Sequence, residues 1–247
     1  MSVRESIFPI LKVAATGDVL SLAGTGFLVA PENVLVTAKH VFEGDTLDTG
    51  EYFAIGEPRN GTLHLEGVHA WAGSRHHDLA VVRNHGVGSN CEGLELAAHD
   101  RLYGWSVLCE DFSNTEITRR TDGTRRARFN PQVQKGNIVG PMLSDQHGDT
   151  SEKILTSFPA LQGASGAPLI FDLSYDLCGM MVANYERHLL PAQIVRVDGE
   201  TEEVRYFMPF GVALSLSSMV DALTELNVHF TQRPDDESDE SLSGTQR

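Results

Sequence analysis

The sequence predicts an all-β protein of two lobes, closed by a single C-terminal helix. Up to about residue 230, many short apolar runs are separated by turn residues, and the chain contains 23 Gly and 10 Pro. This pattern is typical of sandwiches and barrels of short strands. Hydrophobic residues make up 41% of the 247 positions, enough for a full core, which excludes a disordered protein and a small disulfide-stapled module.

Two series of predicted strands of similar size suggest a duplicated barrel, although the sequence shows no repeat. Both series are rich in Val, Leu and Phe between Gly, Pro, Asn and Asp. The first lobe, about residues 1–98, has predicted strands at 10–14, 19–22, 26–29, 34–37, 63–70 and 79–83. The second lobe, about residues 99–215, has them at 105–110, 116–128, 132–139, 154–158, 167–171, 177–183, 193–197, 204–207 and 211–214.

The C-terminal region divides into a predicted helix and an acidic tail. In residues 215–226, apolar side chains recur at helical spacing and serines are available for the cap, so we expect one closing helix over about 215–227. Residues 233–247 are acidic and almost free of apolar residues. Such a segment cannot offset the entropy of ordering, which predicts a disordered tail.

Net charge and cysteine content limit the partners and the compartment. Because 34 acidic against 19 basic residues give a net charge of -15, nucleic acid is not expected as a partner. No apolar run is long enough for a membrane span, and the first ten residues lack the features of a signal peptide. Cys91, Cys109 and Cys178 are odd in number and widely spaced, so we expect reduced thiols in a cytoplasmic protein.

The string from Gln162 to Leu169 (QGASGAPL) places Ser165 between two glycines and before a strand. An oxyanion needs two backbone N–H groups that converge on one point, and glycine lets the backbone turn that tightly. Gly163 and Ser165 would donate these N–H groups. The alternative interpretation is a Gly-rich turn that holds a serine by chance.

Two further strings offer a base and a carboxylate. Residues 24–30 and 34–41 (GTGFLVA and VLVTAKHV) predict two joined strands that end at His40, a side chain whose pKa suits proton transfer near neutrality. Asp78 leads directly into the apolar run 79–82, where it could orient the base or only cap a strand. His76 and His77 invite a metal interpretation, but neighbours on a strand point to opposite faces, so no metal site is expected.

Together these three strings resemble chymotrypsin-fold serine proteases. GASGAP is similar to their GxSGxP nucleophile motif, GTGF…TAKH to the segment that presents the base, and DLAV to their D-[LI]-A-[LV] segment. His40, Asp78 and Ser165 also follow the family's order. The resemblance runs from about residue 10 to residue 226. GMMVAN is similar to the substrate-binding strand after the nucleophile, and FGVAL with SMV to the strand and closing helix of the bacterial high-temperature-requirement (Deg-type) proteases. It implies a chymotrypsin-like fold of two antiparallel six-stranded β-barrels, with a protease domain over 1–230.

Departures from the family concern residues beside the catalytic positions. Lys39 stands where the family usually has a small residue; its charge could face solvent, or it could lower the pKa of His40. Val182 and Ala183 are apolar where the family commonly has a hydroxyl that supports the aspartate. The resemblance places the substrate-binding residues in a set without charge, which favours a small or apolar residue before the cleaved bond: Pro159, Ala160, Leu161, Val182, Ala183, Asn184 and Gly211.

The five arginines between Arg119 and Arg128 are the one basic feature of the chain. They surround the hairpin-turn signal Asp122-Gly123 and could dock an acidic partner, including the chain's own tail. The weakness of exposed ion pairs favours the other interpretation, a solvated hairpin that avoids edge pairing.

The resemblance therefore implies a serine endopeptidase that acts on protein or peptide substrates through an acyl-enzyme, without a metal or an organic cofactor. Two other classes stay open: a protease-fold binding module that has lost turnover, and an esterase with the same triad. Because no recognition domain accompanies the protease, we expect control by a regulatory partner protein or by substrate proximity.

Overall fold

Seven strands form the sheet of the first lobe in the computed structural model, which describes residues 3–44, 46–59, 62–88, 91–100, 103–119, 121, 125–142, 151–188, 192–195, 201–204 and 207–234. In chain order they are β1 (Ile7–Val13), β2 (Val19–Val29), β3 (Val34–Thr37), β4 (Tyr52–Arg59), β5 (Thr62–Gly67), β6 (Ala72–Gly73) and β7 (Ala80–Val82). Their order across the sheet is β5-β4-β1-β2-β3-β7-β6, with antiparallel neighbours. A short helix, α1 (His40–Glu43), follows β3.

The second lobe contains a closed barrel with the strand order β11-β12-β17-β14-β13-β8. The strands of this lobe are β8 (Ser106–Asp111), β9 (Glu116–Arg119), β10 (Arg125–Arg128), β11 (Gln132–Met142), β12 (Lys153–Thr156), β13 (Pro168–Phe171), β14 (Leu177–His188), β15 (Ala192–Val195), β16 (Thr201–Val204) and β17 (Phe207–Ser215). The pairs β9–β10 and β15–β16 are separate two-stranded hairpins.

A single apolar cluster runs through both lobes. It joins Phe27 and Leu35 of the first sheet to Leu169 and Met181 of the barrel, and all four side chains are fully buried. Each such side chain contributes roughly 1.5–3 kcal/mol on burial. The shared core fixes the two lobes against each other, which matters because the candidate catalytic residues come from both.

The closing helix, α2 (Leu216–Glu225), lies on the barrel and is capped from two sides. Ser215 accepts a hydrogen bond from the Ser218 N–H, and the Asp100 carboxylate accepts the N–H groups of Leu216 and Ser217. After α2 the chain returns to the first lobe, where Arg233 N–H donates to the Leu96 carbonyl at 2.8 Å. No helix within the described ranges is long and apolar enough to cross a bilayer.

The predicted chymotrypsin-like all-β fold with a C-terminal helix is confirmed, and the details differ at several places. The first lobe is a seven-stranded sheet rather than the expected six-stranded barrel: the predicted strands 19–22 and 26–29 are one strand, β2, and β4 and β6 are additional. Strand β4 escaped prediction, since Gly56 and Pro58 interrupt its apolar pattern. Strands β9 and β10 form a hairpin where one strand over 116–128 was predicted, and residues 120 and 122–124 lie outside the described set. The predicted tail also lies outside it from residue 235 on, while Arg233 is bonded to the fold.

Candidate active site

His40 and Asp78 form a two-point contact between neighbouring strands of the first lobe. Strands β3 and β7 pair with Thr37 opposite Ala80, which brings the segment after β3, with His40, close to the segment before β7, with Asp78. His40 Nδ1 lies 2.6 Å from Asp78 Oδ2, and the His40 backbone N–H donates to Asp78 Oδ1 at 2.9 Å. A carboxylate only accepts, so Nδ1 carries the proton and Nε2 keeps a free lone pair.

Each member of the His40–Asp78 pair shifts the pKa of the other toward its charged form. Burial raises the pKa of Asp78, but the hydrogen bond and charge of His40, with a smaller effect of Lys39, outweigh it and leave the pKa below the usual value. The hydrogen bond to Asp78 raises the pKa of His40; burial opposes this, and the charges of Asp78 and Glu43 add to it. The carboxylate is therefore ionised near neutrality, and the imidazole is a stronger base than a free histidine.

The loop that carries Ser165 is shaped by two glycines with positive φ. A turn over residues 161–164 is closed by the Ala164 N–H and the Leu161 carbonyl at 2.9 Å, with Gly163 at φ 95° in its third position, as a type II turn requires. Gly166 has φ 83°, and a Cβ there would lie 2.3 Å from the Thr25 carbonyl. No other residue type fits either position without strain.

The N–H groups of Gly163 and Ser165 donate to no residue in the described part of the chain. Two unused donors two residues apart on a tight turn are what an oxyanion requires. Ser165 is half-buried, and its Oγ makes no hydrogen bond to His40 or to any other described residue.

Thr25, on β2, fixes this loop to the first lobe. Its hydroxyl donates to the Gly163 carbonyl at 2.8 Å, and its N–H donates to the Ser165 carbonyl at 2.9 Å. The same hydroxyl accepts the Phe112 N–H at 3.3 Å. Because Thr25 is fully buried, these bonds are shielded from water and hold the serine beside the lobe that supplies His40.

Ser74 organises the loop that carries Asp78. It is 1% exposed; its hydroxyl donates to Glu225 Oε2 on α2 at 2.5 Å and accepts the N–H groups of His76 and His77. Its N–H donates to the Leu79 carbonyl at 2.9 Å, which closes the loop at its base. The helix α2 therefore positions the loop of Asp78 from the opposite end of the sequence.

Lys39 points toward this loop rather than toward the base. Its Nζ donates to the Ser74 carbonyl at 3.1 Å, and its charge helps to lower the pKa of Asp78. It is not among the groups that shift the pKa of His40. The ammonium group thus stabilises the Asp78 loop, whereas the sequence had suggested that it could face solvent or lower the pKa of His40.

The predicted substrate-binding residues lie around one end of the serine loop. Asn184 accepts from the Ala160 N–H and donates to the Ala160 carbonyl, which binds the segment before Ser165 to β14. Gly211 N–H donates to the Phe158 carbonyl at 2.7 Å and holds the same segment from β17. The other predicted members differ in exposure: Val182 is buried, Pro159 is half-buried, and Leu161 and Ala183 are exposed.

One edge of β14 is open beside this segment. β13 and the residues that lead into it pair with β14 only as far as Met181, whose N–H and carbonyl bond to Ala167 and Gly166. β17 occupies the opposite edge as far as His188. Beyond Met181, no strand in the described part of the chain pairs with the first edge, so an extended peptide fits there.

Sequence reasoning did not identify Thr25, Ser74 or Glu225. Thr25 lies inside the GTGF string but carried no separate signal, and the other two have partners far away in the sequence. Of the two adjacent histidines, His77 Nδ1 lies 3.0 Å from Ser151 Oγ. Within the described ranges, no cluster of three or more His, Cys, Asp or Glu side chains is arranged to hold a metal ion.

Comparison with solved structures finds the same fold in several proteases. The HtrA-type protease AlgW, solved with a decapeptide, aligns over 90% of this chain with a TM-score of 0.53 and 17% identity. Deg5 aligns over 92% of this chain and 91% of its own, with a TM-score of 0.56 and 18% identity. Mouse neuropsin, a serine protease expressed in the limbic system of the brain, aligns over 88% of this chain and 93% of its own, with a TM-score of 0.54 and 12% identity. The chain spans 63% of the length of AlgW.

The family is shown by sequence. A search against curated proteins finds no match. A model of the trypsin-like peptidase domain, in contrast, matches residues 24–180, which is well over half of the chain and includes His40, Asp78 and Ser165. The chain therefore belongs to the trypsin-like peptidase domain family.

Proposed function

We propose that this protein is a serine endopeptidase that hydrolyses peptide bonds through an acyl-enzyme. The observation that carries the proposal is the oriented His40–Asp78 pair in the lobe to which Thr25 bonds the serine loop, where the N–H groups of Ser165 and Gly163 are unused by described residues. This arrangement combines a base, an orienting carboxylate, a nucleophile and two oxyanion donors.

The reaction begins when His40 Nε2 takes the Ser165 hydroxyl proton as Oγ attacks the peptide carbonyl carbon. The N–H groups of Gly163 and Ser165 stabilise the negative oxygen, and Asp78 stabilises the imidazolium. His40 then gives its proton to the leaving nitrogen as the carbon–nitrogen bond breaks. Water, deprotonated by His40, attacks the ester and regenerates Ser165, so the cycle needs no metal or organic cofactor.

The substrate is an extended peptide whose acyl half pairs with the open edge of β14. Because no charged residue is among the predicted substrate-binding set, a buried charge before the cleaved bond would remain unpaired. A small or apolar residue is therefore preferred at that position. AlgW, solved with a decapeptide, supports a peptide as the kind of ligand that suits this fold.

The cysteines do not offer a rival nucleophile. Burial raises the pKa of Cys109 and of Cys178 well above the usual value, and both side chains are inaccessible. Burial, with the charges of Glu57 and Glu5, also raises the pKa of Cys91. All three thiols are protonated near neutrality, which disfavours thiolate chemistry.

A protease-fold binding module without turnover is the second candidate. The absence of a hydrogen bond between Ser165 Oγ and His40 favours it, although such bonds are often loose before substrate binds. Lys39 does not favour this candidate, because its ammonium group donates to the Ser74 carbonyl.

Cleavage profiling with a peptide library, together with labelling by a fluorophosphonate probe, separates the two candidates. The endopeptidase should label at Ser165 and cleave, and Ser165→Ala should lose about 10⁶ in turnover. Ser174→Ala, in the turn between β13 and β14, is the matched control and should keep full activity. Equal hydrolysis by the Ser165→Ala protein would refute the mechanism, and a chain that neither labels nor cleaves is the binding module.

A further inference from the structure

The hairpin β9–β10 concentrates positive charge on a strongly acidic protein. Four of its arginines are described and exposed: Arg119, Arg125, Arg126 and Arg128. The register pairs Arg119 with Arg125 on one face, while Arg126 and Arg128 lie on the other. In a chain of net charge -15, this arrangement concentrates cations that repel one another until an anion binds.

The hairpin lies beside the oxyanion turn. Arg125 Nη1 donates to the Leu20 carbonyl on β2 at 2.8 Å. Two residues further along β2, Leu22 packs on the turn so closely that a Cβ added to Gly163 would lie 2.3 Å from Leu22 Cδ2. Two residues of a strand span about 7 Å, so Arg125 is within reach of a peptide that leaves the oxyanion hole over Leu22.

The base of the hairpin is rigid and touches the same turn. Ser113, just before β9, has its Cα 3.4 Å from the position of a Cβ on Gly163. The Asp111 carboxylate accepts from both the N–H and the hydroxyl of Ser113, and Gln132 donates to that hydroxyl. The arginines therefore rise from a segment whose position relative to Gly163 is fixed.

The two lobes would contact different halves of the substrate. The Ala160–Asn184 contact and the open edge of β14 receive the acyl half, in the second lobe. The leaving half must then pass toward the first lobe, over Leu22. There β1 pairs with one edge of β2. β3 pairs with the other edge only from Phe27 onward, so β3 leaves that edge of β2 open at Leu22.

No carboxylate of the described residues lies within ion-pair distance of the four arginines. The hydrogen bond from Lys12, and to a smaller extent the charge of Arg125, lower the pKa of Glu51, but Glu51 is bound to Lys12 at 2.9 Å. Each guanidinium has five donor N–H groups, and Arg125 uses one of them on Leu20. The remaining donors are available to carboxylates of a ligand.

We propose that this arginine hairpin selects substrates with acidic residues on the carboxyl-terminal side of the cleaved bond. The inference rests on the proposed endopeptidase function and names its substrate class. Carboxylates in the leaving half would contact Arg125 and Arg119, which are paired on the same face of the hairpin, through charge-assisted hydrogen bonds. The same charges would steer acidic segments toward the cleft from solution.

Paired peptides test the inference. The two members of a pair share the acyl half and differ in Glu or Gln at the second to fourth positions after the cleaved bond. For the wild type we expect kcat/KM about tenfold higher on the Glu peptide at low salt, since each exposed pair contributes modestly. The preference should fall as salt is added, because the screening length is about 8 Å at physiological ionic strength and becomes shorter at higher salt.

Variants locate the preference. Arg119→Gln/Arg125→Gln should remove the preference and leave kcat/KM on the Gln peptide unchanged. Arg126→Gln/Arg128→Gln, on the opposite face of the same hairpin, is the charge-matched control and should keep the preference. A preference that is absent in the wild type, or that survives in the double variant, would overturn the inference.

Two further measurements separate the arginine-hairpin inference from the proposed endopeptidase function. Binding of the uncleaved Glu and Gln peptides to the Ser165→Ala protein, followed by fluorescence anisotropy, reports the hairpin even if the chain has no turnover. Hydrolysis of a short acyl substrate with a chromogenic leaving group reports the endopeptidase alone. Removal of residues 235–247 should change neither; if it instead raises Glu-peptide binding at low salt, the hairpin binds the chain's own tail and the substrate assignment is wrong.

Discussion

The loop of Ser165 and the loop of Asp78 are both fixed by distant parts of the chain, but by different means. The serine loop takes its shape from backbone geometry, with positive φ at Gly163 and Gly166, and Thr25 holds it through its hydroxyl and its N–H. The aspartate loop has ordinary residues and is held by side chains, with Ser74 at the centre of the contacts.

This difference predicts how each loop fails. The serine loop, whose shape depends on its own glycines, should tolerate substitutions in its surroundings better than substitutions of Gly163 or Gly166. A loop held by side chains can be weakened from outside, at Lys39 on one side or at Glu225 on α2. Substitutions in the two loops should therefore separate into large local effects and smaller remote ones.

The largest effect in this comparison is expected for Asp78→Asn. The amide can hold His40 in the wrong tautomer, which should lower kcat by about 10⁴ while the fold is kept. The pKa of His40 should also fall, because the bond to Asp78 is the main cause of its increase. Residual activity should thus reach its plateau at lower pH than in the wild type. A loss of only a few-fold would show that another group orients the base.

Gly163→Ala tests the backbone-shaped loop. A Cβ at φ 95° is strained and overlaps Leu22, so the turn should change and withdraw one oxyanion donor. Loss of one such donor should cost about 10²–10³ in kcat. Gly104→Ala is a matched control, because its φ is also positive, at 72°, and nothing lies within 4 Å of an added Cβ. Comparable losses in both variants would attribute the effect to general destabilisation.

Ser74→Ala and Glu225→Gln test the loop held by side chains. We expect kcat to fall about tenfold with KM unchanged, a loss of roughly 1.4 kcal/mol in transition-state stabilisation. Glu225→Gln keeps an acceptor for Ser74 and should lose less than Glu225→Ala. Asp221→Asn, on the same helix, is the control. The pKa of His40, followed by NMR, should fall in the damaged variants, which a purely structural role of Glu225 would not produce.

Lys39→Met should have the smallest effect. The chain of Lys39 packs against Gly73 while its ammonium group bonds to Ser74, and its charge acts on Asp78 rather than on His40. Hydrolysis should rise with pH through the His40 pKa, above the usual histidine value, with an unchanged midpoint in the variant. An upward shift of the midpoint would mean that the ammonium group faces the imidazole.

The same contrast explains what the sequence alone could predict. The GASGAP string predicts the serine loop, because the geometry of that loop depends on adjacent glycines. The apolar runs beside His40 and Asp78 predict the strands that position these two residues. Ser74 and Glu225 carry no such signal, since a serine before two histidines becomes important only when α2 packs beside it. Strand β4 was missed for a related reason, because Gly56 and Pro58 break its local pattern although its neighbours in the sheet complete it.

The contact between Ser74 and Glu225 also bears on how the protein is made. A chain synthesised from its N-terminus exposes His40, Asp78 and Ser165 before α2 leaves the ribosome. Until α2 docks, the Asp78 loop lacks its anchor and the histidine has a poorly oriented partner. We therefore expect the proposed activity to reach its full level only after α2 has docked.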